Sequence, residues 1–195
     1  MTGKYAAVVE GYVDDVISGR KIACVETRQA CARFRRDVLS DKYVVDCGEA
    51  DYVIEKIETQ FVHRKGEDFG GVPLKGKPLI LEPWEKFCIY GMLVFYDLKT
   101  GLRRVQEAFI FIPRKNGKTL FVAALAWALA LLSVKSGATI YIVAAALRQA
   151  MESYRNIENN LTNHIYDSKD EAELEGWRIL DNNRYRHIRR IAYQG

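Results

Sequence analysis

Hydrophobic positions in the first third of the chain recur every three or four residues, the spacing of one face of an α-helix. Gly19 follows the first stripe at the place of a helix stop, and a short turn at Tyr43–Asp46 connects the second stripe to the third. The pattern predicts three helices that each bury one face. Their stripes are Tyr5, Val8, Val9, Tyr12, Val13, Val16 and Ile17; then Cys24, Cys31, Phe34 and Val38; then Ala50, Val53, Ile54, Ile57 and Phe61.

The segment Arg64–Lys77 breaks this periodicity, because it is charged and carries four glycines and a proline. Such a composition is typical of a loop. Glu82-Pro83-Trp84 follows it and predicts the start of a fourth helix, since proline favours the first helical position, and Asp97–Gly101 is predicted to be a turn. We therefore predict two domains, a helical one over residues 1–66 and a second over residues 67–195.

The second half of the chain changes character. Ala108–Ile112 is a short apolar run of strand length, the wholly apolar run Leu120–Leu132 predicts a buried helix, and Ala138–Ala144 predicts a second strand. Residues 147–161 then give an amphipathic helix. Strand, loop, helix, strand and helix in this order predict an α/β fold with a parallel sheet flanked by helices.

Composition excludes some classes of protein and site but does not identify a function. With 49% hydrophobic and 28% charged residues and a net charge of +4, the chain is globular and only mildly basic. The four cysteines form no CxxC pair and the three histidines lie at no metal-ligand spacing from them. Leu120–Leu132 is too short to span a bilayer, which takes about 20 residues, and the N-terminus does not resemble a signal peptide. We expect a cytoplasmic protein.

The strongest chemical signal is the segment Ile112–Thr119, with the sequence Ile-Pro-Arg-Lys-Asn-Gly-Lys-Thr. A phosphate-binding loop needs converging backbone N–H groups, a lysine for the β- and γ-phosphates and a hydroxyl for Mg²⁺. Gly117, Lys118 and Thr119 supply them in the required order, although Ile112 replaces the usual first glycine. The predicted strand and helix on either side favour phosphate binding over the alternative, a surface loop with an exposed Lys-Thr pair.

A loop of this form resembles that of the terminase large subunits of tailed bacteriophages, the ATPases that pump DNA into capsids. Three other segments resemble the same family in the same order: Tyr12–Gly19, Leu81-Glu-Pro-Trp84 and Arg148-Gln149-Ala150. The likeness runs over essentially the whole chain. It implies a P-loop ATPase core that couples ATP hydrolysis to DNA translocation.

The resemblance also implies roles for individual residues. Lys118 and Arg114 would be catalytic, acting on the transferring phosphoryl group, and Thr119 would ligate Mg²⁺. The nucleotide-binding set would be Pro113, Arg114, Lys115, Asn116, Gly117, Lys118, Thr119, Trp84 and Glu85, with ATP and Mg²⁺ as cofactors. Glu85 departs from the family, which usually has glutamine there, so that an ionised side chain could only accept a hydrogen bond from adenine.

The resemblance implies double-stranded DNA, a portal protein and a terminase small subunit as partners, and it allows a homo-oligomeric ring. No residue after Thr119 is predicted to end an apolar strand with Asp-Glu, the acidic pair that such an ATPase needs; Ile179-Leu180-Asp181 is the nearest candidate. We expect no counterpart of the family's nuclease domain within these 195 residues. We therefore expect ATP binding with weak or no hydrolysis by this chain alone. The alternatives are an inactive remnant or a module that binds DNA or a portal, and, less favoured, a helicase or recombinase.

Overall fold

The computed structural model describes residues 1–68, 70–113, 115–132, 140–181 and 186–190. For residue 181 and residues 186–190 it describes the main chain, and of their side chains that of Ile188. The chain folds into two compact units. Unit 1 comprises residues 1–55 and 81–111, and unit 2 comprises residues 56–80 and 112–195. Each unit therefore draws on two separate segments of the chain, unlike the contiguous domains over 1–66 and 67–195, which stay a prediction.

Unit 1 is built on the predicted helices. Its elements are α1 (Ala6–Ser18), α2 (Val25–Val38), the first part of α3 (Gly48–Gln60) and α4 (Pro83–Leu93). Helix α1 packs against α2 and α4, and it ends at Gly19, which takes the left-handed conformation (φ 80°) of a helix stop. In α3 the predicted stripe of Ala50, Val53, Ile54 and Ile57 is fully buried, as is Phe61 directly after the helix. The prediction of helices in this part of the sequence is confirmed.

A short antiparallel ribbon completes unit 1. Strands β1 (Tyr43–Val45) and β2 (Phe95–Asp97) pair with Tyr43 opposite Asp97. The expectation that Tyr43–Asp46 only turns between two helices was therefore wrong. Its partner strand lies about 50 residues further along the chain, and a local pattern carries no information about such pairing. Asp97 then begins the predicted turn, where its carboxylate accepts hydrogen bonds from the N–H groups of Lys99 and Thr100.

Unit 2 contains a hairpin-like loop and two packed helices. The loop runs from Phe61 to Leu79. Main-chain hydrogen bonds between its two arms, such as that from His63 N–H to the Lys77 carbonyl oxygen (3.0 Å), close it. Helix α5 (Lys118–Leu132) packs on α6 (Leu147–Asn160). The Trp127 ring of α5 lies 5.6 Å from the ring of Phe61. As predicted, α5 is apolar nearly all round and much of it is buried, from Phe121 to Ala130.

Two runs were expected to form a parallel sheet, and their described residues, 108–112 and 140–144, are not strands in this structure. In the part of the chain that is described, no main-chain hydrogen bond joins Ala108–Ile112 or residues 140–144 to another segment; residues 138 and 139 lie outside that part. Apolar side chains of both runs are exposed, including Phe109 (91%) and Val143 (89%). The prediction failed because a strand exists only through hydrogen bonds to a neighbour, and an apolar run does not reveal whether that neighbour is present.

The polar end of the chain holds structure that its pattern does not indicate. A π-helical turn (Leu161–Ile165) and α7 (Lys169–Leu174) lead into β3 (Trp177–Asp181) and β4 (Arg186–Arg190), which form an antiparallel hairpin. The observed mixture of helices and short strands is compatible with the α/β class, and all sheet pairing within the described ranges is antiparallel. Among the described helices, none is both long and apolar enough to cross a bilayer.

Candidate phosphate-binding site

The loop before α5 carries two left-handed residues in quick succession. Lys115 has φ 70° and Gly117 has φ 71°, and Lys115 is the one non-glycine residue with positive φ among those described. A side chain in this conformation costs about 1–2 kcal/mol. Main chain that alternates between right- and left-handed conformations turns successive N–H groups to one side and forms an anion-binding concavity. The left-handed main chain of Lys115 is a feature that the sequence pattern did not indicate.

Helix α5 begins directly after this turn. The N–H groups of Leu120 and Phe121 both donate to the carbonyl oxygen of Gly117, each at 3.0 Å. The N–H groups of Lys118 and Thr119 meet no acceptor in the part of the chain that the structure describes. The free N–H groups of a first helical turn, together with the helix dipole, favour a bound anion.

The side chains of the predicted loop point to solvent. Pro113, Lys115, Asn116, Lys118 and Thr119 are all exposed, and the amide of Asn116 donates to the carbonyl oxygen of Pro113 at 3.3 Å. Arg114 lies outside the described residues. The structure thus brings the loop members together at one helix end, with the Lys118 ammonium and the Thr119 hydroxyl accessible.

Trp84 and Glu85 lie in unit 1, on the first turn of α4. The Glu85 carboxylate accepts a hydrogen bond from the backbone N–H of Glu82 at 2.9 Å, and the Glu82 side chain accepts from the backbone of Glu85 in return. This is a capping box, which satisfies two N–H groups at the helix start. Glu85 is 6% exposed, and burial raises the pKa of its carboxyl group. Its position is thus explained by helix capping. Trp84 is half-buried.

Carboxylates that could hold a divalent cation are not grouped in the described part of the molecule. No cluster of three or more His, Cys, Asp or Glu side chains occurs there. Asp181, the nearest candidate for an acidic residue at a strand end, terminates β3, and its side chain lies outside the described set. β3 pairs antiparallel with β4.

Comparison with known families decides the relationship. The family model of the terminase large subunit ATPase domain matches residues 83–188, more than half of the chain. The chain belongs to the terminase large subunit ATPase family. The match begins at the first residue of α4 and includes the loop at Pro113–Thr119 and both α5 and α6. No curated protein and no solved structure matched this terminase chain.

Membership of this family confirms the resemblance that the loop and the Glu-Pro-Trp segment indicated. An ATPase domain uses a nucleotide and belongs to the DNA-packaging machinery of phages. The positive φ angles and the helix start are consistent with a phosphate-binding role for Pro113–Thr119 in this terminase domain, although the assignment of single residues rests on the sequence motif.

Proposed function

We propose that the segment Pro113–Thr119 binds the phosphates of ATP as the nucleotide site of a phage DNA-packaging motor. The observation that carries this proposal is the Gly-Lys-Thr sequence at the exposed start of a 15-residue helix, directly after the left-handed Lys115 and Gly117 and inside the region that the family model matches. Each of these features favours the binding of an anion, and together they fit a polyphosphate.

Within this site the side chains take distinct roles. The Lys118 ammonium contacts the β- and γ-phosphates, and the Thr119 hydroxyl ligates Mg²⁺. Arg114 approaches the γ-phosphate, where a planar guanidinium suits paired oxygen atoms better than an ammonium does. Mg²⁺ prefers oxygen ligands, and the Thr119 hydroxyl is exposed. Thr119 therefore fits the ion. When bound, Mg²⁺ neutralises phosphate charge.

Contact with the adenine base is proposed at Trp84 and Glu85. The ring of Trp84 offers a stacking surface. The Glu85 carboxylate would have to release the N–H of Glu82 before it could accept from the adenine amino group, because it is engaged in the helix cap. We therefore expect Glu85 to add little to affinity, with most of the binding free energy at the phosphates.

The wider context of the proposal is the packaging motor. Double-stranded DNA, a portal protein and a terminase small subunit are its proposed partners, and a ring of copies is its proposed assembly. ATP binding by this chain is proposed independently of turnover, since the carboxylates that activate water are not assigned.

Thermal unfolding with and without Mg-ATP tests the nucleotide site. A ligand present at about 100 times its Kd stabilises the folded state by about 2.7 kcal/mol, which corresponds to a rise in Tm of about 5–10 °C for a chain of this size. We expect this rise for the wild type and for Lys115→Ala, which removes an equal charge from the same loop. Lys118→Ala should abolish it. An equal rise in Lys118→Ala would refute the assignment, and no rise in the wild type would favour a module that acts without nucleotide.

A further inference from the structure

One face of α2 carries unpaired arginines. Arg28, Arg33 and Arg36 are exposed, and within the described ranges no carboxylate lies within ion-pair distance of them. A fourth arginine, Arg35, pairs with Asp14. The helix contains no lysine. Its positive charge is therefore carried entirely by guanidinium groups, most of them free.

The acidic residues of α2 do not neutralise this face. Asp37 is turned to the protein, where it pairs with Arg104 at 2.8 Å. Glu26 stands in the first turn, and the position four residues after it is Ala30. A solvated helix surface usually alternates charges in pairs three or four residues apart. Here Arg33 and Arg36 stand three apart with the same sign, which costs a few tenths of a kcal/mol unless an anion is bound.

The three arginines are spread along the helix. Arg28 and Arg36 are eight residues apart, which is about 12 Å along the axis at 1.5 Å per residue, and the three side chains fan over an arc of about 140°. The major groove of B-DNA is also about 12 Å wide, with the phosphates of the two strands on its opposite sides. Side chains at this separation can therefore contact the phosphates of both strands.

The surroundings leave Arg33 accessible. It lines two open depressions. One, of about 500 Å³ along α2, is also lined by Arg36 and Glu26, and the other, of about 470 Å³ between α2, α4 and residues 104–110, is also lined by Arg104 and Glu107. A phosphate can therefore approach this guanidinium from either side. Arg104 lines the second depression but is held by Asp37 and stacks over Tyr43, with 5.1 Å between guanidinium carbon and ring centroid.

The chemistry of the face favours phosphates over a protein surface. The cores of protein interfaces are depleted in charge and anchored by aromatic side chains, whereas the one aromatic residue of α2, Phe34, is buried. Guanidinium groups present paired donors that match phosphate oxygens. We propose that the arginine face of α2, formed by Arg28, Arg33 and Arg36, binds the phosphate backbone of double-stranded DNA. The choice of duplex rests on the proposed packaging function, whereas the phosphate chemistry rests on the face itself.

Salt-dependent binding of a fluorescent 30-base-pair duplex tests this surface. The variant is R28Q/R33Q/R36Q, and the matched control is K75Q/K77Q/K99Q, which removes the same charge from exposed lysines elsewhere. Each lost phosphate contact lowers the slope of log K against log salt by about 0.9. We expect the slope of the arginine variant to fall by about 2.7, with affinity reduced about tenfold or more at low salt, and the control to change much less.

An unchanged slope in the arginine variant, or an equal loss in the lysine control, would overturn the proposal. Circular dichroism verifies that each variant is folded. A second measurement needs no variant: the side-chain Nε–H resonances of the three arginines should shift when duplex is titrated into the wild type, and a lack of any shift contradicts the proposal. A single strand of the same sequence should bind more weakly, and tighter binding of the single strand would overturn the choice of duplex. All duplex titrations are made without nucleotide, so that failure of the ATP site and failure of this surface are distinguishable.

Discussion

The Asn160 side chain provides the sharpest test of how unit 2 is held together. It is fully buried. Its carbonyl oxygen accepts from the N–H of Val62 at 2.8 Å, and its amide nitrogen donates to the carbonyl oxygens of Val62 at 3.1 Å and Asn156 at 2.8 Å. A single side chain of α6 thus satisfies both the N–H and the carbonyl group of Val62, as a neighbouring strand would. The two residues lie 98 positions apart in the sequence. We expect Asn160→Ala to leave both main-chain groups of Val62 without partners.

The magnitude follows from these bonds. Each buried hydrogen bond stabilises the fold by about 0.5–1.5 kcal/mol, and a buried group left unpaired costs about 1–3 kcal/mol. We therefore expect Asn160→Ala to lower the free energy of unfolding by about 3–5 kcal/mol. Asn160→Asp keeps the shape but replaces the donor by an oxygen that faces two carbonyl groups. It should be at least as destabilising as alanine, because the carboxylate would be buried without a cation.

Urea unfolding followed by circular dichroism measures these changes, and amide hydrogen exchange of Val62 locates them. The matched control is Asn163→Ala, because Asn163 is exposed and its amide donates only to solvent-accessible partners nearby in the chain, the Asn159 carbonyl oxygen at 3.3 Å and the Thr162 hydroxyl at 2.8 Å. It should change stability by less than about 0.5 kcal/mol. A loss of unfolding free energy below about 1 kcal/mol in Asn160→Ala, or unchanged protection of the Val62 amide, would contradict this account. It would show that these hydrogen bonds do not hold the loop from Phe61 to Leu79 to α6.

Three further predictions concern local chemistry. In Gly3→Ala the new Cβ would lie 2.7 Å from the Cβ of Cys47, so Tm should fall by an amount that corresponds to about 1–3 kcal/mol, whereas Gly11→Ala, with nothing within 4 Å, should stabilise α1 by about 0.5–1 kcal/mol. Burial raises the pKa of Glu85 above its ordinary value of 4.5, so the wild type loses stability as pH rises above that ordinary value. Glu85→Gln, which keeps the cap, should therefore gain stability relative to the wild type as pH rises above 4.5, measured by urea unfolding. Lys115→Gly should stabilise the loop by about 1 kcal/mol in thermal unfolding and retain ATP binding, and loss of binding would show that the Lys115 side chain takes part.

The sequence predicted the helices well because their information is local. In α3 every apolar position of the predicted stripe is buried, and α4 begins at the proline that marks its start. Periodicity and capping residues act within a few positions of each other, so they are visible directly in the chain.

Pairing between distant segments could not be predicted in the same way. β1 pairs with β2 across about 50 residues, and Arg64 contacts Glu152 across 88 residues. The hairpin of β3 and β4 was missed because β4 is rich in arginine and shows little apolar alternation. Conversely, Ala108–Ile112 has the composition of a strand but no hydrogen-bonded neighbour among the residues that the structure describes. Sheet formation depends on partners that composition does not specify.

The candidate phosphate-binding loop was singled out from its sequence, but its main-chain geometry was not predicted. Gly-Lys-Thr before an apolar run indicated where a helix begins, and α5 does begin at Lys118. The left-handed conformation of Lys115 could not be foreseen, since lysine has no preference for it. The capping role of Glu85 was also missed, although Glu82 three residues before it is a signal for a capping box.

Backbone amide resonances of the loop test the central claim most directly. The ¹H–¹⁵N signals of Gly117, Lys118 and Thr119 should shift when Mg-ATP is added to the wild-type chain, because their N–H groups would donate to phosphate oxygens. The same signals should stay in place when Mg-ATP is added to Lys118→Ala at the same concentration. Shifts confined to residues outside Pro113–Thr119, or none at all in the wild type, would contradict the assignment of this loop as the nucleotide site.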